Sequence, residues 1–344
     1  MKEYLLKKDN VKTLCLKASE QWETYIPAEV TGADVLFTRI NRNNKNSILK
    51  QLNLDYESLV VPPKVIFFPQ LESLFEFQNK NITKMVATPS KKLLFGLRAC
   101  DAKAILLTDD FFRRNFEDVY YLHKSQGKLL VIVACRHPLD SCFCTSAKTG
   151  PFLETGFDLQ LIDIGADYLV ETGSKKGEEF VDCYREFFDE ALKDHLESAK
   201  KVKRDVEKAV SLKVDFEEAI KKFCEDKVPQ QIYETIAERC IYCGGCLYVC
   251  PTCTCFNVFD TQSAGSGARC RNWDACVFEG YTREASGHNP RHEKWIRTSR
   301  RYEHKLKYDY LTTGMSSCVG CGRCLASCPV NIGISQIIEE VTKS

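Results

Sequence analysis

The sequence predicts an α+β protein: a mixed α/β domain over residues 1–175, a helical connector over 176–232 and a cysteine-rich α-helical domain over 233–344. Three observations carry this. Two compact apolar runs, LLFGL at 93–97 and LLVIVA at 129–134, flank the amphipathic stretch AKAILLTDDFF. Composition then shifts to Lys and Glu after residue 175. Finally, of nineteen cysteines in 344 residues, eight lie between Cys240 and Cys276 and four between Cys318 and Cys328.

In order along the chain, Val35–Ile40 and Val65–Phe68 read as short strands, the second set off by Pro62-Pro63. The run at 93–97 leads through Arg98-Ala99-Cys100-Asp101 into a helix, with Asp101 as the expected N-cap. The β-branched run at 129–134 has the composition of a buried strand, so strand, helix and strand form a βαβ unit with parallel strands. DLQLIDIG and DYLVETG read as a hairpin around Gly165-Ala166. FVDCYREFFDEALKDHL and VDFEEAIKKF carry apolar residues at helical spacing, with their charges as solvated faces.

Composition excludes several classes. Hydrophobic residues at 44% and charged residues at 28% describe an ordinary globular chain. The N-terminus lacks an apolar core followed by a cleavage site, which predicts a cytoplasmic protein with reduced thiols. The longest apolar run, Leu129–Cys135, is far shorter than a membrane span. A net charge of +1 argues against general nucleic-acid binding. There is no G-x-G-x-x-G after a strand and no Walker loop, so no nicotinamide or flavin site is expected, and no catalytic residue is assigned.

One motif occurs twice: Cys240-x2-Cys243-x2-Cys246-x3-Cys250-Pro251 and Cys318-x2-Cys321-x2-Cys324-x3-Cys328-Pro329. This spacing is the ferredoxin signature for 4Fe-4S clusters. Three thiolates on a tight loop reach three corners of a cube, and the small glycines admit backbone amides to the sulfides. The fourth cysteine, expected at or near a helix start, reaches the other cube. That crossing gives cluster I from Cys240, Cys243, Cys246 and Cys328, and cluster II from Cys318, Cys321, Cys324 and Cys250. Paired zinc sites are the competing reading, but they rarely use four cysteines at this spacing twice. Residues 251–317 between the copies leave room for helices, expected after each Cys-Pro.

Cys100 and Cys135 each follow a strand of the βαβ unit, and parallel strands gather ligands at their carboxyl ends. Cys142 and Cys144 lie on the next loop. These four predict a third 4Fe-4S cluster, against the alternative of buried or redox-active thiols. Cys253, Cys255 and Cys276 either complete a site or line the clusters. Cys15, Cys183, Cys224 and Cys270 read as packing or surface residues, and His288 as structural.

These residues resemble the family containing the iron–sulfur relay subunit of anaerobic sulfite reductase and the sulfhydrogenase (soluble nickel–iron hydrogenase) beta subunit. The resemblance is carried by Ala99-Cys100-Asp101, Cys142-Phe143-Cys144-Thr145-Ser146, CPTCTCFNVFD at 250–260, Trp273-Asp274-Ala275-Cys276, GHNPR at 287–291 and CVGCGRCLASCP at 318–329. Ser286, Pro290 and Cys270-Arg271-Asn272 depart from the usual pattern. The resemblance implies an α-helical dicluster ferredoxin domain and supports the third cluster. It also implies a non-catalytic iron–sulfur relay in an anaerobic oxidoreductase complex. Its partners would be a subunit binding FAD, a 2Fe-2S cluster and NAD(P)H, and a terminal subunit of the sirohaem sulfite reductase or nickel–iron hydrogenase type. The alternative is a cluster or thiol enzyme in which Cys253, Cys255 and Cys276 reduce a small sulfur species directly.

Overall fold

A computed structural model describes residues 2–344 except Thr31, Ala33, Lys80 and Ala264. Among the described residues twelve strands follow in chain order: β1 (Glu3–Lys7), β2 (Glu23–Glu29), β3 (Val35–Arg39), β4 (Leu71–Gln78), β5 (Asn81–Lys84), β6 (Lys92–Leu97), β7 (Lys128–Val133), β8 (Leu159–Asp163), β9 (Asp167–Thr172), β10 (Phe188–Glu190), β11 (Phe256–Ser263) and β12 (Ser266–Trp273). Eight of them form one sheet in the order β10-β1-β9-β8-β7-β6-β2-β3. Its centre is parallel, β2 with β6, β6 with β7 and β7 with β8, and the remaining pairs are antiparallel.

Successive residues of β6 and β7 point to opposite faces, and both faces are covered. Leu93, Phe95, Leu129, Val131 and Val133 join one core cluster, while Leu94, Leu97, Leu130 and Ile132 join another. Burial on both sides is why these strands read as unbroken apolar runs. The helix Ala99–Arg113 connects them as the βαβ pattern requires, and β8 and β9 make the expected hairpin.

Local expectations change at several points. Val65–Phe68 is not a strand: Pro63–Ile66 is a 3₁₀ turn, with Pro63 at its first position, where a missing N–H costs nothing. Asp101 is not the N-cap of its helix; Arg98 holds that place, and Asp101 lies in the first turn with a distant partner described below. The chain after Cys250-Pro251 does not enter a helix but the β11–β12 hairpin, where Phe256-Asn257-Val258-Phe259 supplies β-forming residues. A helix, Ile334–Lys343, follows Cys328-Pro329.

That hairpin reaches far back along the chain. β12 pairs with β4, giving a second, fully antiparallel sheet in the order β11-β12-β4-β5. Buried Arg271 fixes the contact through ion pairs to Glu72 and Asp118. Trp273 stacks on Phe68 and donates its indole N–H to the Phe68 carbonyl at 3.0 Å.

The 176–232 segment is shared between both halves. FVDCYREFFDEALKDHL does not stay helical: its helix ends at Cys183 and β10, inside the stretch, edges the large sheet, whereas Phe216, Ala219, Ile220 and Phe223 meet Ile334, Ile337, Ile338 and Val341 in the C-terminal core. Each quartet has the i, i+3, i+4, i+7 spacing of one helix face. Among the described residues no helix is long and apolar enough to cross a membrane.

Candidate metal centres

The two cysteine motifs fold alike. Each passes through two residues with left-handed backbone, Tyr242 (φ 56°) and Gly244 (φ 73°) in the first, Gly320 (φ 58°) and Gly322 (φ 70°) in the second. Each then makes one short helical turn, Gly245–Tyr248 or Arg323–Ala326, before its fourth cysteine. The fourth cysteine therefore follows a helical turn rather than starting one.

Sulfur neighbours cross between the copies. Cys243 and Cys328 both stand beside Cys240, and Cys246 also has Cys240 as a neighbour. Cys250, from the first copy, lines a small cavity with Cys318, Cys321 and Cys324 of the second, and Cys246 reaches the same cavity, so that it lies between the two sets. Backbone amides reach in as well: Tyr242 N–H donates to Cys240 Sγ at 3.4 Å and Ile332 N–H to Cys328 Sγ at 3.2 Å. Among the described residues no three His, Cys, Asp or Glu side chains close on a point as ligands of one ion would. All-thiol donors set apart around a cavity fit an iron–sulfur cube, whose size spreads its ligands. Burial pushes the Cys246 thiol up to about 11 and Cys318 up to about 12, so metal binding there must displace protons.

The N-terminal cysteines gather at the carboxyl edge of β6 and β7. Cys100 lies in the first turn after β6 and has Cys144 and Cys321 as neighbours. Cys142 and Cys144 both have Cys135 beside them. This edge is clasped to the second ferredoxin motif. Phe143 N–H donates to the Gly320 carbonyl at 2.8 Å, Thr149 Oγ1 to the Val319 carbonyl at 2.7 Å, and Cys142 Sγ to the Cys321 carbonyl at 3.4 Å.

The approach is close enough to demand glycine. A Cβ on Gly320 would come within 2.8 Å of the Cys144 backbone, and one on Gly322 within 2.5 Å of the Ser141 carbonyl. Beside them Arg323 makes a bidentate pair with Asp101, both contacts at 2.6 Å, and both side chains are buried. Such a fork–fork pair fixes orientation as well as distance.

Two further buried cations lie among the sulfurs. Arg301 has Cys246 and Cys324 as neighbours, one from each set, while Lys305 has Cys250, Cys253 and Cys318. Burial works against their charge, but the surrounding sulfurs outweigh it and hold both pKa values above their ordinary range. Neither has a carboxylate within ion-pair distance among the described residues; Lys305 Nζ donates to Thr252 Oγ1 at 2.7 Å. The sequence offers Asp101 only as a helix cap, and it gives no signal for Arg301 or Lys305. Arg323 carried a signal, since it stands inside the motif where the first copy has Gly245.

The remaining cysteines separate. Cys250 is the strongest influence on the Cys253 thiol, and Cys255 and Cys276 pack in one apolar cluster with Tyr281. The Cys276 thiol and backbone N–H, with the Tyr281 hydroxyl, lower the Cys255 thiol to about 6 despite its burial. Cys15 is buried in the core of the large sheet, Cys270 is buried beside Ser73, Cys224 is half-buried and Cys183 is exposed. His288 is exposed; its neighbour Asn289 holds the loop by accepting from Thr282 Oγ1 and donating to the Glu279 carbonyl. A cavity of about 630 Å³ opens at the start of β7, at the other end of that strand from Cys135, and no cysteine lines it.

A fold that brings two ferredoxin-type cysteine motifs together defines an iron–sulfur electron-transfer protein, and the model of a 4Fe-4S dicluster domain matches residues 239–332. The sulfhydrogenase 2 subunit beta of Pyrococcus furiosus is 33% identical over 297 residues, covering 86% of this chain and 87% of that protein. The chain belongs to the sulfhydrogenase beta-subunit family.

Proposed function

We propose that the chain relays electrons through three 4Fe-4S clusters within a cytoplasmic hydrogenase or sulfur-reducing complex. Cluster I is held by Cys240, Cys243, Cys246 and Cys328, and cluster II by Cys318, Cys321, Cys324 and Cys250. Cluster III is held by Cys100, Cys135, Cys142 and Cys144, in an N-terminal domain of residues 1–175 joined through 176–232 to the ferredoxin domain at 233–344. A subunit binding FAD, a 2Fe-2S cluster and NAD(P)H stands at one end of the relay. A terminal catalytic subunit, of the nickel–iron hydrogenase or sulfite reductase type, stands at the other.

The observation that carries this reading is the clasp between the 141–149 loop and the second motif. It brings Cys142 onto the Cys321 carbonyl and Cys100 beside Cys321, so electrons would pass from one cluster to the next without crossing solvent. The chain's own residues hold the thiolates apart, exclude water and supply buried positive charge. The clusters would supply one-electron redox chemistry over the broad range open to such centres.

Two variants of the assembled complex test the relay. Cys243→Ala should remove cluster I and abolish turnover, and full activity would refute the relay. Cys135→Ala with Cys142→Ala should lower iron content by about a third, the share of one cluster in three; unchanged iron would remove cluster III from the reading.

A further inference from the structure

The β11–β12 hairpin brings together two thiols that the relay does not use. Cys255 immediately precedes β11 and Cys276 closely follows β12, and pairing of Phe256 with Trp273 closes the hairpin at that end. Asp274 N–H donates to the Cys255 carbonyl at 3.0 Å, which continues the pairing toward Cys276. The two cysteines and Tyr281 pack into one apolar cluster with Ala275 and Val277, and each thiol acts on the other's ionisation, Cys276 lowering that of Cys255 and Cys255 raising that of Cys276. Cys253 packs in the same cluster, but Cys250 and not either of these two acts most strongly on its thiol.

One side of this pair is open. Cys255 and Cys276 line a pocket of about 420 Å³ together with Arg291, Arg300, His304 and Tyr308; no carboxylate is among its lining side chains, though Glu303 lies 3.6 Å from Arg300 and Asp309 3.6 Å from His304 behind the lining. On the other side Cys276 has Cys246 as a neighbour. A dithiol thus stands between a solvent-accessible, cation-lined pocket and the first cysteine set. Among the described residues no third His, Cys, Asp or Glu approaches to complete a site for an ion.

We propose that Cys255 and Cys276 are a reversible dithiol–disulfide couple that reduces a small anionic disulfide bound in this pocket, and that the couple is recharged by the relay. The proposal rests on the assignment of cluster I above. Cys255, deprotonated, attacks one sulfur of R–S–S–R′; that bond breaks, and the released R′S⁻ takes up a proton. Deprotonated Cys276 then attacks the Cys255 sulfur of the mixed disulfide, releasing the second thiol and closing the Cys255–Cys276 bond. Two electrons drawn singly from the relay, with two protons, restore the dithiol. The sum is R–S–S–R′ + 2e⁻ + 2H⁺ → RSH + R′SH. Thiol–disulfide exchange of this kind depends on access and on which sulfur is attacked, and both are set here by the pocket. Arg291 and Arg300 favour an anionic partner by raising its local concentration.

The test uses the cluster-loaded full chain under anaerobic conditions. The reduced protein is exposed to the dianion of 3,3′-dithiodipropionic acid, quenched in acid and alkylated, and its peptides are read by mass spectrometry. A Cys255–Cys276 disulfide is expected in the parent protein. In Cys276→Ser a mercaptopropionate adduct should remain on Cys255, with iron content and cluster EPR signals unchanged. Neutral 2-hydroxyethyl disulfide should react about tenfold more slowly, a typical effect of electrostatic focusing, and Arg291→Gln with Arg300→Gln should remove that preference. Returning electrons from titanium(III) citrate should reopen the bond in the parent protein and leave it closed in Cys243→Ala.

Free, alkylated Cys255 and Cys276 in a protein with full iron would overturn the proposal. Loss of iron in Cys276→Ser would overturn it as well, by making the pair cluster ligands. Iron content and EPR report on the relay independently of alkylation, so a parent protein lacking the iron and signals of cluster I would count against that assignment and not against the pair.

Discussion

The two cysteine motifs share a backbone and differ in what surrounds it. Both bend at the same two left-handed positions and both make a single helical turn before the fourth cysteine. In the first copy the loop faces outward: Ile241 is 59% exposed and Cys243 is exposed. In the second, Val319 and Arg323 are buried, and the N-terminal loop 141–149 presses on the glycines. Spacing gives both copies the same cluster signature, and in the proposed relay the packing around each would decide which end it serves. The outward copy suits exchange with a partner protein, and the inward copy suits transfer within the chain.

The greatest effect on this contrast should come from Asp101→Asn. Asp101 and Arg323 are fully paired and buried, and removing one member of a buried pair leaves an uncompensated charge worth roughly 3–5 kcal/mol. Thermal unfolding of the cluster-loaded variant should show a loss of that order, and cluster II should become more sensitive to oxygen than cluster I. A loss under about 1 kcal/mol, the scale of an exposed pair, would mean that the clasp does not depend on this contact.

How much of this is legible in the sequence follows from how local each signal is. The β6–helix–β7 unit, the β8–β9 hairpin and the cysteine spacings are legible because periodicity and short-range spacing specify them. Pairing of β12 with β4 is not, because much of β11 and β4 is exposed or only half-buried and carries no one-sided apolar pattern to set a register. Asp101 has the local look of a helix cap, yet its partner lies 222 positions away. Arg301 and Lys305 read as surface charge, since nothing local distinguishes a buried cation facing sulfur from one facing water. The Cys255–Cys276 pairing becomes visible only once the hairpin joins its ends.

Those two cations offer a second way to separate the copies. Arg301 lies beside Cys246 and Cys324, and so beside both sets, whereas Lys305 lies beside Cys250 and Cys318, both of the second set. A reduced cluster carries one more negative charge than an oxidised one, so a buried cation favours reduction and its removal lowers the potential. EPR-monitored redox titration of Arg301→Gln should show both clusters shifted downward. Lys305→Met should shift cluster II alone. A shift of about 60 mV corresponds to a tenfold change for a one-electron couple. Unmoved potentials in Arg301→Gln would show that solvent already screens the site.

The smallest effect tests whether the second copy bears more than a conformational cost for its close contact. Tyr242 and Gly320 occupy equivalent positions at φ 56° and 58°, a region that disfavours any residue with a Cβ by roughly 1–2 kcal/mol. Tyr242 tolerates it with compensation: its hydroxyl donates to the Ala237 carbonyl at 3.2 Å, and Arg297 lies 5.5 Å over its ring. Comparing Tyr242→Gly with Tyr242→Ala cancels those lost contacts and leaves backbone conformation, so the glycine variant should be more stable by about 1 kcal/mol. At position 320 the same methyl also meets the Cys144 backbone at 2.8 Å, and neither chain segment can yield without disturbing the clasp. Gly320→Ala should therefore cost clearly more than the Gly-to-Ala difference at 242, both read from thermal unfolding. Equal costs at the two positions would mean that the 141–149 loop adapts, and that the second copy is no more tightly held than the first.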